Sequence, residues 1–384
     1  MCQTPRLQNI NIFDNRYLST TIALMTMTLL QTLLKATAFR NPLLRTLVPS
    51  VALAYGIQTA VAVPSIAVGT ERFYDLSGSL TYLSCTALSL FLPYLRTASA
   101  NAATGGLAEY LRAPAPGQGL WFWRQVALSA AVGLWATRCM LHFRPAITPC
   151  EGKIEELMRT TVGSFLFKRI TDDGIDSRFD KIRGSPPKFF VAFFAQATWV
   201  SLCLLPVIAT NALPRSAFQL ARLQNVSSKL PVPISAKPYL TDILGLTIFV
   251  FGFTFEVIAD WQKSAWSREK KQKKHSEEFL TRGLWSRSRH PNYFGEITLW
   301  AGLAIAAGGL LVRNPAQVGL GLGGLGGKVL VTGMCAASPA FVSFLLLKVS
   351  GVPLSENKYD KRFGKRNDYR RWKEETPMVV PRVW

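Results

Sequence analysis

The sequence has no CxxC pair and no two cysteines at a spacing that zinc ligands adopt. Its six cysteines, Cys2, Cys85, Cys139, Cys150, Cys203 and Cys335, lie far apart. Most fall in or beside apolar runs, where a free thiol behaves as a small hydrophobe. A disulfide framework and a structural metal are set aside on that ground. Acidic residues are scarce, 23 against 44 Lys and Arg, for a net charge of +21. Such an excess points first to nucleic acid, but no basic–aromatic stacking motif or recognition helix accompanies it. No nucleic-acid partner is therefore expected. A small-residue cleavage site after a short apolar region is also lacking, as is an Arg- and Ser-rich amphipathic leader. The first apolar run accordingly reads as an uncleaved anchor.

What the sequence does have is long apolar runs. Of its 384 residues, 49% are hydrophobic, and they gather into stretches of about 20, the length that crosses a bilayer as a helix. Hydropathy places such runs near 18–36, 46–68, 79–95, 121–141, 189–211, 239–259, 294–312 and 328–348. Most Lys and Arg fall on alternate loops: the N-terminus, 69–78, 138–188, 260–293 and the tail from 349. By the positive-inside rule these loops are cytosolic. The expectation is an all-α, polytopic integral membrane protein of about seven or eight transmembrane helices with a C-terminal cytosolic cap. Residues 1–140 form N-terminal membrane helices, 141–188 a charged cytosolic loop, and 189–384 a membrane half with the cap.

Some local features carry less. The charged stretch within 142–188 reads as a solvated loop, with a lid over a membrane-face site as the functional alternative. Asn225 begins an Asn-Val-Ser acceptor pattern that tests orientation if it is lumenal. "GLGLGGLGGK" at 319–328 contains a GxGxxG, but no strand precedes it and Val329 stands where a phosphate loop needs Ser or Thr. It reads as a turn.

Chemistry-bearing residues collect in the last third. In "FEVIADWQKSAWSREKKQKK", Glu256, Asp260, Lys263 and Ser267 share one helix face by their 4-3-4 spacing. Ionisable groups at a membrane edge usually face a cavity or a partner. In "LWSRSRHPNYFGEITLW", Pro291 suits the start of a helix and biases His290 to an extended conformation. Asn292, Tyr293 and Glu296 then lie in its first turns. The helix N-terminus with Arg287 and Arg289 suits a phosphate-bearing cofactor, and Trp285 belongs to the same wall. In the tail, Tyr359, Phe363, Tyr369 and Trp372 recur at quasi-helical intervals, as in a folded cap opened by Glu356.

Together, "FEVIADWQK", "GLWSRSRHPNYFGEITLWAG" and "VSGVPLSE…YDKRFG" closely resemble a family related to the steroid 5-alpha-reductases, over about residues 240–384. "ERFYDLSGSLTYL" and "DSRFDKIR" resemble it more weakly. The RHPNYFGE element is similar, more distantly, to the delta-14 and delta-7 sterol reductases and to the isoprenylcysteine carboxyl methyltransferases. The resemblance implies an NADPH site on the cytosolic face, built from Glu256, Asp260, Lys263, Arg268, Trp285, Arg289, His290, Asn292, Tyr293, Glu296 and Glu356. It implies reduction of a C=C or C=O bond in a lipophilic substrate, a steroid, sterol, fatty or prenyl lipid, drawn from the bilayer of the endoplasmic reticulum. Tyr293 is one candidate proton donor. Tyr74, with Glu71 or Asp75, is another.

This chain also departs from the pattern. Trp266-Ser267 stands where the family usually has Phe-Arg, with an arginine one place later at Arg268, and "YRRW" differs from the order in sterol reductases. "SEN" offers one acid where the methyltransferases show a Glu-Glu pair. S-adenosylmethionine-dependent methyl transfer to a lipid or prenyl-cysteine remains an alternative, as does a non-catalytic scaffold or sterol-binding protein.

Overall fold

In lipid a backbone has no water to satisfy its N–H and C=O groups, so apolar runs of spanning length become helices. A computed structural model describes residues 32, 34–101, 123–141, 178–180, 182–214, 216–219, 234 and 237–382. Its regular structure, among the described residues, is entirely helical. The long helices are α1 (Pro42–Val68), α2 (Tyr74–Asn101), α3 (Trp123–Leu141), α4 (Pro186–Asn211), α5 (Leu240–Lys271), α6 (Pro291–Leu311) and α7 (Gly324–Phe344). A π-helical turn, Leu345–Val349, leads to the short cap helices α8 (Val352–Phe363) and α9 (Asn367–Glu375).

Local chemistry sets several boundaries. Asn41 caps α1 by accepting from the N–H of Leu43 at 2.8 Å, with Pro42 following. Proline also opens α4 and α6, where its missing N–H is not needed. Within 319–328, Gly321 and Gly324 have positive φ and shape the turn between α6 and α7.

Six stretches are long and apolar enough to cross a membrane: Pro42–Val68, Tyr74–Pro93, Pro186–Asn211, Leu240–Lys271, Pro291–Leu311 and Gly324–Phe363. The chain is a multi-pass membrane protein in its architecture. The described spans are thus six where seven or eight were expected. The run at 18–36 and Asn225 lie wholly or largely outside the described residues, as does most of 142–177. The run at 121–141 does form a helix, α3, but is not among the six. Its arginines, Arg124 and Arg138, are held by the protein instead of by lipid.

The tightest joint is the antiparallel pair α5–α6. A Cβ on Gly245 would meet the Ala306 nitrogen and Gly302 oxygen at 2.6 Å, and one on Gly252 would meet the Leu299 nitrogen at 2.5 Å. From the other side, a Cβ on Gly295 would meet the Glu256 nitrogen at 2.6 Å. Small residues seven apart on both helices let the backbones touch, the usual basis of helix association in lipid. Helix α6 is the core element: Leu299, Trp300, Ala307, Leu310 and Leu311 are fully buried.

Helix α3 is tied to α5 at both ends. Arg124 pairs with Asp242 at 2.8 Å, and Arg138 forks between Glu256 and Asp260. The two steps match, since 124 to 138 and 242 to 256 are the same interval. The helices run parallel, and two arginines bridge them.

Candidate functional site

The two ends of the α3–α5 bridge differ in how well they are satisfied. Near Asp242 both charged groups are paired. Arg124 also donates to the Lys237 carbonyl at 2.7 Å and lies over the rings of Trp123 and Tyr239. Asp242 also accepts from the Tyr239 N–H at 2.7 Å. That end is a structural clasp.

The other end, on the side of the basic loops, is not closed. Glu256 and Asp260 share Arg138, and Glu296 of α6 lies within electrostatic reach of all three. Three carboxylates therefore face one guanidinium. Above them pack Tyr82, Trp135 and Trp300, with ring centroids 4.9 Å (Tyr82–Trp135), 5.8 Å (Tyr82–Trp300) and 5.2 Å (Trp135–Trp300) apart. In this inner chamber Glu256 Oε2, Arg138 Nε, Tyr82 Oη, Trp135 Nε1 and Trp300 Nε1 are buried without a hydrogen bond of good geometry among the described residues. Buried polar atoms are paired in more than about nine cases in ten. Two of the five lie close to a partner, Trp135 to Glu256 and the Tyr82 hydroxyl to Cys203, and the remainder suit water or a ligand.

One turn outward on the same faces of α5 and α6 lies a second cluster. The loop after α5 folds back onto that helix: Gln262 accepts from the Leu284 N–H at 2.8 Å, and the Trp285 indole donates to the Ala259 carbonyl at 3.0 Å. This sets Trp285 under the Lys263 ammonium, 4.8 Å from the ring centre. The chain then runs into "SRH". Here the C-terminal segment lashes on, with the Arg289 N–H donating to the Pro377 carbonyl at 2.9 Å and the Ser288 hydroxyl to that of Val379 at 2.7 Å. His290 sits just before α6, stacked on Tyr293 with ring centroids 5.0 Å apart. Glu356 of α8 ties the cluster to the cap: it pairs with Arg289 at 2.7 Å, with Lys373 at 3.3 Å and with His290 Nε2 at 3.3 Å. Burial pulls the His290 imidazole below its ordinary pKa, and Lys263 and Arg289 push the same way against the carboxylate of Glu356. The Arg289 Nε and the Asn292 Oδ1 are buried without a partner among the described residues.

The structure therefore brings Lys263, Trp285, Arg289, His290, Asn292, Tyr293 and Glu356 together, with Glu256, Asp260 and Glu296 directly inside them. Arg268 is exposed farther along α5 and is not among the groups acting on His290. Arg287 is exposed as well. The tail forms the expected cap: Phe363, Tyr369 and Trp372 pack around Phe279 with Tyr359 beside them.

Glu71, Tyr74 and Asp75 lie elsewhere. Glu71 pairs with Arg183 at 2.5 Å and Asp75 with Arg178 at 2.7 Å. The Tyr74 hydroxyl donates to the Ala192 carbonyl at 3.1 Å, and its ring packs between Phe179 and Phe193. The partners shown for their side chains come from α1, α4 and 178–183. The described end of the charged loop is thus docked, with Phe179 only 3% exposed, where a solvated loop was expected.

Arg138, Tyr82, Trp135 and Trp300 were missed at the level of sequence. The signal was present in part: two arginines in a 19-residue apolar helix, at the spacing of two acids on another helix.

A family model described as a protein of unknown function (DUF1295) matches residues 159–376. No curated protein and no solved structure matches the chain. The matched segment holds α4 to α9 and hence the outer cluster, Glu256, Asp260 and Glu296, while Tyr82, Trp135 and Arg138 precede it. With more than half of its length matched, the chain belongs to the DUF1295 family.

Proposed function

We propose that this protein is an NADPH-dependent reductase of a C=C or C=O bond in a lipophilic substrate, with the cofactor entering from the basic, cytosolic face. The observation that carries the reading is the junction of the two clusters. A cationic cluster with unpartnered Arg289 Nε and Asn292 Oδ1 lies one helical turn from the carboxylates Glu256, Asp260 and Glu296 inside a membrane bundle.

The residues fit such a cofactor. Lys263 and Arg289, beside the free N–H groups of the α6 N-terminus, suit phosphate. Trp285 offers a ring, and His290, Asn292 and Asp260 suit sugar hydroxyls and an amide. Glu356 holds Arg289 and His290 in place. When bound, the nicotinamide supplies a hydride to a polarised double bond. The chain's own task is to orient the reactants, exclude water and deliver a proton. The aromatic roof and the spans exclude water. For the proton, Tyr82 joins Tyr293 as a candidate. Its hydroxyl is buried, lies against the Cys203 thiol without good hydrogen-bond geometry, and feels the charge of Glu296, whereas that of Tyr74 donates to a backbone carbonyl. The kinship with steroid 5-alpha-reductases and residence in the endoplasmic reticulum belong to the same reading.

One observation favours a second reading, S-adenosylmethionine-dependent methyl transfer to a lipid or prenyl-cysteine. The inner chamber is acidic, with three carboxylates to one arginine, and that cofactor carries a sulfonium cation and no phosphate.

The test is thermal melting of the purified protein in detergent with NADPH, NADH or S-adenosylmethionine, beside a His290→Ala/Asn292→Ala variant. A ligand that binds only the folded form stabilises it, by about 2.7 kcal/mol at a hundred times its Kd. A rise with NADPH that the variant loses is the expected result. A rise with S-adenosylmethionine alone selects the methyltransferase. No rise with any of the three sinks both and leaves a non-catalytic scaffold.

A further inference from the structure

Between α1 and α2, at the end nearest the basic loops, lies a groove of about 350 Å³. That volume falls in the lower part of the roughly 300–1,000 Å³ typical of small-molecule sites. Val61, Pro64, Val68, Phe73 and Leu80 make it apolar. Val63, Val68, Phe73 and Leu80 are exposed on the same stretch of the two helices, so the groove belongs to the bundle's lipid-facing surface. Its wall ends at Ser77, whose hydroxyl is already used: it donates to the Tyr74 carbonyl at 2.6 Å and stands between the side-chain oxygens of Gln58 and Gln196. The Ser65 hydroxyl is the other polar group of the inner lining, and neither serine is charged, so the depth of the groove offers nothing to an ionic head. What enters must be apolar along its length.

The mouth differs. Thr70 and Phe73 both line the groove, and between them Arg72 is exposed, its N–H donating to the Thr70 hydroxyl at 3.4 Å. The neighbouring cations are spoken for, Arg183 by Glu71 and Arg178 by Asp75. Arg72 has no ion pair among the described residues. An apolar groove open to lipid, with a cation that has no ion pair among the described residues beside its membrane-surface end, complements a particular shape of molecule: an acyl chain ending in an anionic head.

We propose that the α1–α2 groove binds one acyl chain of an anionic amphiphile, the chain lying along Val61, Pro64 and Leu80 and the head group at Arg72. This site is separate from the Arg138 and His290 clusters, and the proposal does not depend on the reaction suggested above.

The test uses the full-length protein in detergent and two single-chain probes with a photoactivatable diazirine in the acyl chain. One carries a phosphoglycerol head and the other a phosphocholine head, and cross-links are mapped by peptide mass spectrometry. The expected result is labelling within residues 60–80, at least fivefold stronger for the phosphoglycerol probe. Arg72→Gln removes that preference. Ala60→Trp, which fills the groove from an exposed position on its wall, lowers labelling by both probes about tenfold while the melting temperature holds. Equal labelling by the two probes, or labelling unchanged in Ala60→Trp, overturns the proposal. So does a cross-link from a diazirine amino acid at position 64 to residues 18–36, which would show the groove filled by the chain's own apolar segment.

Discussion

Replacing Arg138 by methionine leaves the buried Glu256 and the half-buried Asp260 without their cation. Removing one partner of a buried pair typically costs about 3–5 kcal/mol, because the survivor stays charged and dry. Arg138→Met is expected to lower the melting temperature sharply. The triple change Arg138→Met/Glu256→Gln/Asp260→Asn should recover part of the loss, since the two carboxylates paired with Arg138 are then neutral and only Glu296 is left without its cation. If the single variant melts like the parent, the fork does not hold α3 to α5. His290 gives a prediction of opposite character. Its pKa lies below the ordinary 6.5, chiefly through burial, so the folded state prefers the neutral ring. That preference contributes stability fully above pH 6.5, and it is lost as pH falls through the lowered value. Melting temperature should therefore decline as pH is lowered from 7 to 5, and decline less in His290→Gln. Identical pH profiles would show that other groups govern the acid side. Of the two residues, His290 was legible in the sequence because its neighbours are contiguous. Arg138 was not, because its partners are 118 and 122 positions away.

At the scale of elements, the α5–α6 joint holds Glu256 and Glu296 side by side. Gly252→Ala would push a methyl into the Leu299 backbone at 2.5 Å. Neither side is a flexible side chain, so the helices must part, at a cost of about 1–3 kcal/mol. The same change at Gly56, whose Cβ would meet nothing within 4 Å, should leave the melting temperature unchanged or slightly raised. Comparing the two variants separates helix packing from helix propensity, and equal effects would refute the seam. The helices themselves were readable. The runs foreseen near 46–68, 189–211 and 294–312 became Pro42–Val68, Pro186–Asn211 and Pro291–Leu311. The starts moved outward by three or four residues because Asn41 and the prolines start helices just before the apolar stretch. The cap was readable too, from its aromatics at helical intervals. Its anchoring through Pro377 and Val379 was not, since backbone hydrogen bonds leave no mark on residue type.

For the whole molecule, the charge bias sets orientation. The ends of α5 and α7 nearest the basic loops should face the cytosol, and the α6–α7 turn the opposite side. Cysteines introduced at the exposed positions Lys274 and Leu325 should react with a membrane-impermeant maleimide from opposite faces of sealed vesicles. Labelling from the same face would break the assigned topology. Helix α3 shows where bulk hydropathy stops being informative. Its arginines read as charges that lipid rejects, yet both are neutralised by α5, so the helix sits in the bundle although it is not among the six apolar spans.

From the sequence came the class of molecule, the order of the long helices among the described residues, the clustering of basic loops and the contiguous half of the candidate site. Those properties depend on local composition and on spacing along one helix, which a linear chain displays directly. The tertiary structure alone decided that Tyr82, Trp135, Arg138 and Trp300 join Glu256 and Glu296, and that Glu71, Tyr74 and Asp75 are tied to 178–183 and α4. Those pairings follow from which helix faces meet. Helices in lipid meet through small residues and buried charges, a few decisive contacts among many positions that hydropathy treats alike.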